Sequence, residues 1–139
     1  MMKIDCWHQW RYLRLEGMDF DEYLPFGTPP YVIGGVIRVR EPTWMSVAAT
    51  VCAQGTEGAV RDWLVQGRGS LPVAGAVELL GVLPLTIADV METGNVVLHP
   101  QLVEDDRPPP ETVLTVLRAL CDLLAYGVER ESNAITWVE

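Results

Sequence analysis

The segment formed by residues 111–126 constrains the fold most, because it predicts a helix that other elements must cover. Its apolar side chains recur at the helical period and surround most of the helix. Only Thr115, Arg118 and Asp122 form a polar stripe, and Gly127 is predicted to end the helix. A helix of this kind is buried on most of its sides. We therefore expect it to be the longest helix and to lie at the centre of a layered fold.

Strands are predicted where apolar and polar residues alternate, chiefly in the first half of the sequence. Residues 4–12 form the first strand, and Trp10 is assigned to its core face. Leu13 and Leu15 carry the opposite apolar phase, which indicates a bulge or a strand that ends and restarts. Residues 31–40 and 44–53 form the second and third strands, which a tight hairpin connects. A closing strand is expected at residues 134–138.

Helices are predicted in the second half, where the apolar period lengthens. Residues 57–66 form one helix, and Thr56 is suited to cap it. Residues 74–82 and 85–92 form two further short helices on either side of a turn at Pro84. A short strand is expected to follow before the central helix begins.

These elements predict an α+β fold in which a mostly antiparallel sheet from the N-terminal half packs against three to four helices. The length of 139 residues and the hydrophobic content of 49% fit one domain over residues 1–139. Residues 71–90 are apolar, but prolines, glycines and acids interrupt them, so no membrane span is expected. The charged N-terminus argues against a signal peptide, and a cytoplasmic location is expected. The three cysteines are expected to be free thiols: Cys6, Cys52 and Cys121.

Charge is distributed unevenly along the sequence, whose net charge is −9. Residues 69–106 contain no lysine or arginine. Their acidic residues are Glu78, Asp89, Glu92, Glu104, Asp105 and Asp106. A segment of this charge repels phosphate and attracts basic surfaces. We therefore expect these acids to contact a basic protein partner, and we expect no direct contact with nucleic acid.

Motifs that carry chemistry are scarce. The two histidines, His8 and His99, lie outside any recognisable arrangement of nucleophile and base, and no glycine-rich phosphate loop is present. Cys6 and His8 could offer two metal ligands, but no second ligand pair follows. The sequence therefore predicts no catalytic residues, no metal and no cofactor. An enzyme that uses carboxylates such as Asp19 and Glu22 is an alternative.

One segment, residues 76–87 with the sequence AVELLGVLPLTI, resembles the helix-turn-helix of excisionase and MerR-type regulators. The resemblance lies in a helix, a Gly-Val turn and a Pro-x-Thr-Ile start of a second helix. Where that family places basic residues on the second helix, this sequence has Ala88, Asp89 and Glu92. The resemblance implies a helical hairpin, while the charges argue against its use on DNA.

Tryptophan is frequent, with five residues in the chain. Tryptophan fills cores and is also enriched at binding hot spots. Trp7 and Trp44 fall on the strand faces opposite the predicted core, so we predict them as aromatic anchors for a partner. The alternative is that helices cover this face as well.

The leading functional hypothesis is a non-enzymatic, acidic protein-binding module. It would neutralise a basic partner in the manner of an immunity protein against a nuclease toxin, or of an inhibitor of a host enzyme. The second hypothesis is a structural subunit of a larger assembly, such as a phage virion or secretion system, in which copies of the chain contact each other. The third is a degenerate helix-turn-helix regulator.

Overall fold

The computed structural model describes residues 10–16, 24, 31–97, 107–129 and 135–137. The α+β class is confirmed, with five strands and four helices in the described part of the chain. In chain order these elements are β1 (Trp10–Leu15), β2 (Val32–Ile33), β3 (Val36–Arg40), α1 (Glu41–Cys52), α2 (Gly58–Gln66), β4 (Ser70–Leu71), α3 (Val73–Thr93), α4 (Pro110–Glu129) and β5 (Ile135–Trp137).

The five strands form one antiparallel sheet in the order β2-β3-β1-β5-β4. Leu13 in the central strand β1 is opposite Ile37 on one side and Trp137 on the other. Because side chains alternate along a strand, these three residues share one face of the sheet. All three are buried, so this inner face carries the core.

The buried face of β1 is not the one that was predicted from Trp10. Leu13 and Leu15 are buried, so the even-numbered residues Trp10, Tyr12 and Arg14 point to the other face. Assigning Trp10 to the core face was therefore wrong, because the two leucines set which face is buried. Residues 4–9 of the predicted strand lie outside the described residues.

The predicted second strand contains a turn. Val32 and Ile33 pair with β3 in antiparallel register, and Gly34 in the turn has a positive φ of 58°. Ile37 and Val39 face the core as expected, while Arg38 and Arg40 point away from it. A single predicted strand is thus a hairpin.

The predicted third strand is the helix α1, which follows β3 directly without a hairpin. Trp44, Val47, Ala48 and Val51 are all buried, and their spacing places them on one side of a helix. Pro42 is accommodated in the first turn, where the helix does not need its missing N–H group. Packing of this apolar side outweighed the β-propensity of the β-branched residues.

Helix α4 confirms the central helix that the sequence predicts. It packs against β1, β3, α1 and α3, and eight of its residues are buried. It continues past Gly127, contrary to prediction. A Cβ atom on Gly127 would lie 2.7 Å from Cδ2 of Leu15, so the glycine allows close approach of the helix to β1.

Helix α3 is one helix of 21 residues where two were predicted, and it is one residue longer than α4. Pro84 lies inside it, and Gly94 ends it with a φ of 70°. The expected helical hairpin is therefore wrong, and with it the structural basis of the resemblance to helix-turn-helix regulators. The prediction that the central helix is the longest is also wrong.

Smaller differences occur around α2. The helix is confirmed, but Glu57 precedes it, and the hydroxyl of Thr56 donates to the carbonyl of Val51 instead of capping. The short strand β4 was not predicted. Val96 and Val97, expected in a strand, have no regular structure.

A cluster of three tryptophans joins the sheet to the helices. Trp44 lies edge-on to Trp137 and Trp63, with ring centroids 4.7 and 5.9 Å away. The guanidinium of Arg11 lies 4.5 Å from the ring of Trp137, donates to the carbonyl of Gly67, and pairs with Glu41 at 3.1 Å. This cluster holds β1, β5, α1 and α2 in place.

Candidate docking surface

Helix α3 has one side in the core and a wide exposed side. The buried residues Ala76, Leu79, Leu83, Thr86 and Val90 recur at helical spacing. They place this side against the other helices, chiefly α4. The remaining circumference is exposed or half-buried.

The exposed side of α3 is apolar. Val77, Leu85 and Met91 are 51%, 64% and 60% exposed. Glycine, proline and alanine lie between them, at Gly81, Pro84 and Ala88, and Ala74 precedes Val77 on the same side. Scattered apolar residues are normal on protein surfaces, but these three lie on the same side of one helix with small residues between them, which makes that side a candidate for interaction.

Three predicted partner-binding acids lie on or next to this apolar row. Glu78, Asp89 and Glu92 are all exposed. At 100° per residue, Glu78 and Asp89 lie on one edge of the row, and Glu92 lies within it near the C-terminal end. Asp89 also accepts a hydrogen bond of 3.5 Å from the side chain of Gln54. We call the apolar row and its three acids the α3 face.

An open groove of about 440 Å³ runs beside this row, between α3 and α4. Its walls are Pro84, Ile87, Ala88 and Met91 from α3, and Arg118, Cys121 and Asp122 from α4. The guanidinium of Arg118 donates to the sulfur of Met91 at 3.2 Å, so this contact joins the two walls of the groove. The groove extends the α3 face towards α4.

Cys121 is a half-buried free thiol in the wall of the groove. Burial and the neighbouring carboxylate of Asp122 raise its pKa above the ordinary value of a cysteine. Burial also raises the pKa of Cys52, against the opposing effect of Arg61. Both thiols are therefore weak nucleophiles near neutral pH.

Cys121 is expected to react slowly with a thiol reagent at neutral pH in a variant whose other cysteines, Cys6 and Cys52, are replaced by serine. The reaction rate should rise with pH, with a midpoint above that of the same chain unfolded in urea, because only the thiolate reacts. Stopped-flow labelling over a pH series measures both midpoints. Equal midpoints would contradict the placement of Cys121 in the groove wall.

Of the two predicted aromatic anchors, only Trp44 is among the described residues, and it does not join this surface. Trp44 is only 2% exposed, and its indole N–H donates to the carbonyl of Leu64 at 2.9 Å. Its prediction as an exposed anchor was wrong, because it lies on the buried side of a helix and not on a strand. Trp7 lies outside the described residues, as do Glu104, Asp105 and Asp106.

The opposite face of the sheet carries a second notable surface. Trp10, Tyr12, Arg14, Arg38 and Arg40 point to this outer sheet face and are exposed or half-buried. The guanidinium carbons of Arg38 and Arg40 lie 4.1 and 4.6 Å from the ring centroid of Trp10. This surface was not predicted from the sequence, because Trp10 was assigned to the core face.

Two properties of the described residues concern metal binding and membranes. They contain no group of three or more histidine, cysteine or acidic side chains placed to hold a metal ion. Helix α3 has the length and apolar composition of a helix that could cross a membrane. In this fold, 28% of its most apolar stretch of 18 residues is buried.

Comparison with protein-family models, curated proteins and solved structures finds no match for this chain. The chain is a small α+β protein with an exposed apolar helix, three acids beside that helix's apolar row, and a groove next to it.

Proposed function

We propose that this chain is a non-enzymatic protein-binding module that docks a basic partner on the α3 face. The observation that carries the proposal is the exposure of Val77, Leu85 and Met91 in a row beside Glu78 and Asp89. Apolar contact area provides affinity, and the acids next to it provide specificity for a basic partner and faster association.

The shape of the surface favours an amphipathic helix as the part of the partner that binds. A groove between two helices accommodates the apolar face of a third helix, whose residues at helical spacing act as anchors. The groove between α3 and α4 lies beside the exposed row and is lined largely by apolar atoms. Basic residues on the incoming helix would then face the three acids of the α3 face.

Insertion of α3 into a membrane is the less favourable use of this apolar area. Glu78 and Asp89 fall within the helix, and a carboxylate in hydrocarbon costs several kcal/mol. Five α3 residues are also buried in the core with the other helices. Insertion would therefore require α3 to leave its packing against α4.

Charge reversal of the three acids is expected to change the α3 face from one that binds a basic helix to one that binds an acidic helix. The probe is a synthetic amphipathic helix with leucines on one face and arginines on the other, and a second probe carries glutamates in place of the arginines. The natural chain should bind the arginine peptide, and Glu78→Lys/Asp89→Lys/Glu92→Lys should bind it about tenfold more weakly or worse. Fluorescence anisotropy measures both affinities over a salt series.

The matched control has the same change of net charge away from α3, in Glu57→Lys/Asp62→Lys/Glu129→Lys. These three residues are also exposed. Equal weakening in both variants would mean that net charge alone attracts the peptide. Binding of the natural chain to neutral lipid vesicles, with no binding of the peptide, would contradict the proposal and favour a membrane role.

A second candidate is the subunit of a larger assembly, which the outer sheet face favours. Trp10 and Tyr12 are aromatic, and aromatic residues are enriched where proteins meet. A chain with two separate surfaces of this kind can contact more than one neighbour.

A further inference from the structure

We infer that Arg118 determines which basic helices dock on the α3 face, because it selects a helix that carries one acidic residue among its basic ones. The inference rests on the proposed function of the α3 face and adds the charge pattern of the partner. The docked helix would be basic along the flank that faces the acids of α3. It would carry one carboxylate on the flank that faces α4.

The first argument is the position of the Arg118 guanidinium. Arg118 belongs to α4, but its side chain crosses to α3 and donates to the sulfur of Met91 at 3.2 Å. Met91 is 60% exposed and is part of the apolar row of α3. A helix that covers this row therefore comes into contact with the guanidinium.

The second argument is the difference in charge between the two edges of the exposed side of α3. At 100° per residue, Glu78 and Asp89 lie about 140° and 160° around the helix from Met91. Glu92 lies between the two edges. One edge is therefore acidic, and the other edge, next to α4, meets Arg118. A helix docked along the row has one flank against each edge, so its two flanks need different charges.

The third argument is the chemistry of the contact that Arg118 makes in the free chain. A thioether sulfur is a weak acceptor, whereas a guanidinium has five N–H donors. Arg118 is exposed, so its other donors are accessible to water. A docked helix removes that water. An arginine of the partner at this point would be repelled, and an apolar residue would leave the guanidinium without an acceptor. A carboxylate accepts two parallel N–H bonds from arginine and avoids both costs.

Asp122 adds a second charge to the same wall of the groove. It lies four residues from Arg118, which is about one turn along α4. Among the described residues the one ion pair joins Arg11 and Glu41, so Arg118 and Asp122 do not pair with each other. The flank of the partner that faces α4 would then carry an acid opposite Arg118 and a base one turn away, opposite Asp122. This pattern distinguishes the partner from a uniformly basic helix.

The test uses two isomers of the arginine peptide. In the flank peptide, glutamate replaces an arginine next to the leucine face. In the outward peptide, it replaces an arginine of the same turn at the centre of the polar face, where it points to solvent. Because the leucines decide the register, the pair is made for each turn, and the turn with the tightest flank peptide is used. The natural chain should bind this flank peptide about fivefold more tightly than its outward isomer.

Substitutions at Arg118 connect this preference to one side chain. Arg118→Gln removes the charge and should bind the two isomers equally. The matched control is Arg61→Gln, which removes the charge of an exposed arginine on α2 and should keep the fivefold preference. Arg118→Lys keeps the charge without the planar fork, so it should keep a smaller preference. It also serves as the test variant if Arg118→Gln does not fold. Fluorescence anisotropy measures all affinities.

Two results would overturn the inference. One is equal affinity of the natural chain for the two isomers, and the other is a preference for the flank peptide that Arg118→Gln retains in full. If the unchanged arginine peptide binds the natural chain in those cases, the proposed function stands and only the role of Arg118 is wrong. A natural chain that binds none of these peptides would overturn both the inference and the proposed function.

Discussion

Replacing Trp44 with alanine is expected to lower the free energy of unfolding by about 3–5 kcal/mol. The side chain is almost completely buried, and its ring contacts those of Trp63 and Trp137. Alanine would leave a cavity at the junction of α1, α2 and β5. It would also remove the hydrogen bond to the carbonyl of Leu64, which adds to the cost when that group stays buried.

Urea denaturation followed by far-UV circular dichroism measures this loss. Trp10→Ala is the matched control, because its ring is half-buried on the outer sheet face. Trp10→Ala should lower the free energy of unfolding clearly less than Trp44→Ala does. Trp44→Phe keeps part of the ring packing, so its loss of unfolding free energy should lie between those of the two alanine variants. If Trp44→Ala does not fold, Trp44→Phe takes its place and should still cost more than Trp10→Ala. Equal costs for Trp10→Ala and Trp44→Ala would contradict the placement of Trp44 in the core.

The central helix α4 could be predicted because its own sequence carries the signal. Val113, Val116, Leu117, Leu120 and Leu124 are buried as the helical period requires. The closing strand β5 was predicted for a similar reason, since Ile135 and Trp137 both face the core. Neither prediction depends on knowing what the element packs against.

Helix α1 could not be assigned from its residues alone, because they fit two periods. Met45, Val47, Ala49 and Val51 alternate as a strand would require, whereas Trp44, Val47, Ala48 and Val51 follow a helix. The choice depends on the apolar surface available for packing, which the sequence of the segment does not contain. The structure buries the helical set, and this choice also moves Trp44 from the predicted surface to the core.

The phase of β1 was ambiguous for a related reason. Trp10 and Tyr12 continue the apolar alternation of the preceding residues, while Leu13 and Leu15 begin the opposite phase. Leucine on the inner face packs against α4, so the later phase is the buried one. The same assignment creates the outer sheet face, which explains why that surface was not predicted.

The acids of the candidate site were identified from charge, but the apolar row next to them was not. The sequence was divided at Pro84 into two short helices, so its apolar positions were not placed on one helical surface. In one continuous helix, five of those positions suffice for burial, and Val77, Leu85 and Met91 are left exposed. Whether α3 is continuous therefore decides whether the α3 face exists.

Pro84→Ala tests this point and is expected to stabilise the protein by about 2 kcal/mol. Proline inside a helix costs about 3 kcal/mol relative to alanine, because it removes one backbone hydrogen bond and clashes with the preceding turn. The greater flexibility of the unfolded chain after removal of proline offsets part of this gain. Pro84 is exposed, so the change should create no cavity in the core.

Thermal and urea unfolding measure the effect, with Gly81→Ala as a control in the same helix. A Cβ atom on Gly81 would meet no other atom within 4 Å, so alanine there changes helix propensity alone, by about 1 kcal/mol. If α3 is one helix, Pro84→Ala should raise the free energy of unfolding by more than Gly81→Ala does. Destabilisation by Pro84→Ala, with Gly81→Ala also destabilising, would instead indicate a turn at these positions. The exposed row of α3 would then no longer be continuous, and the docking surface would have to be abandoned.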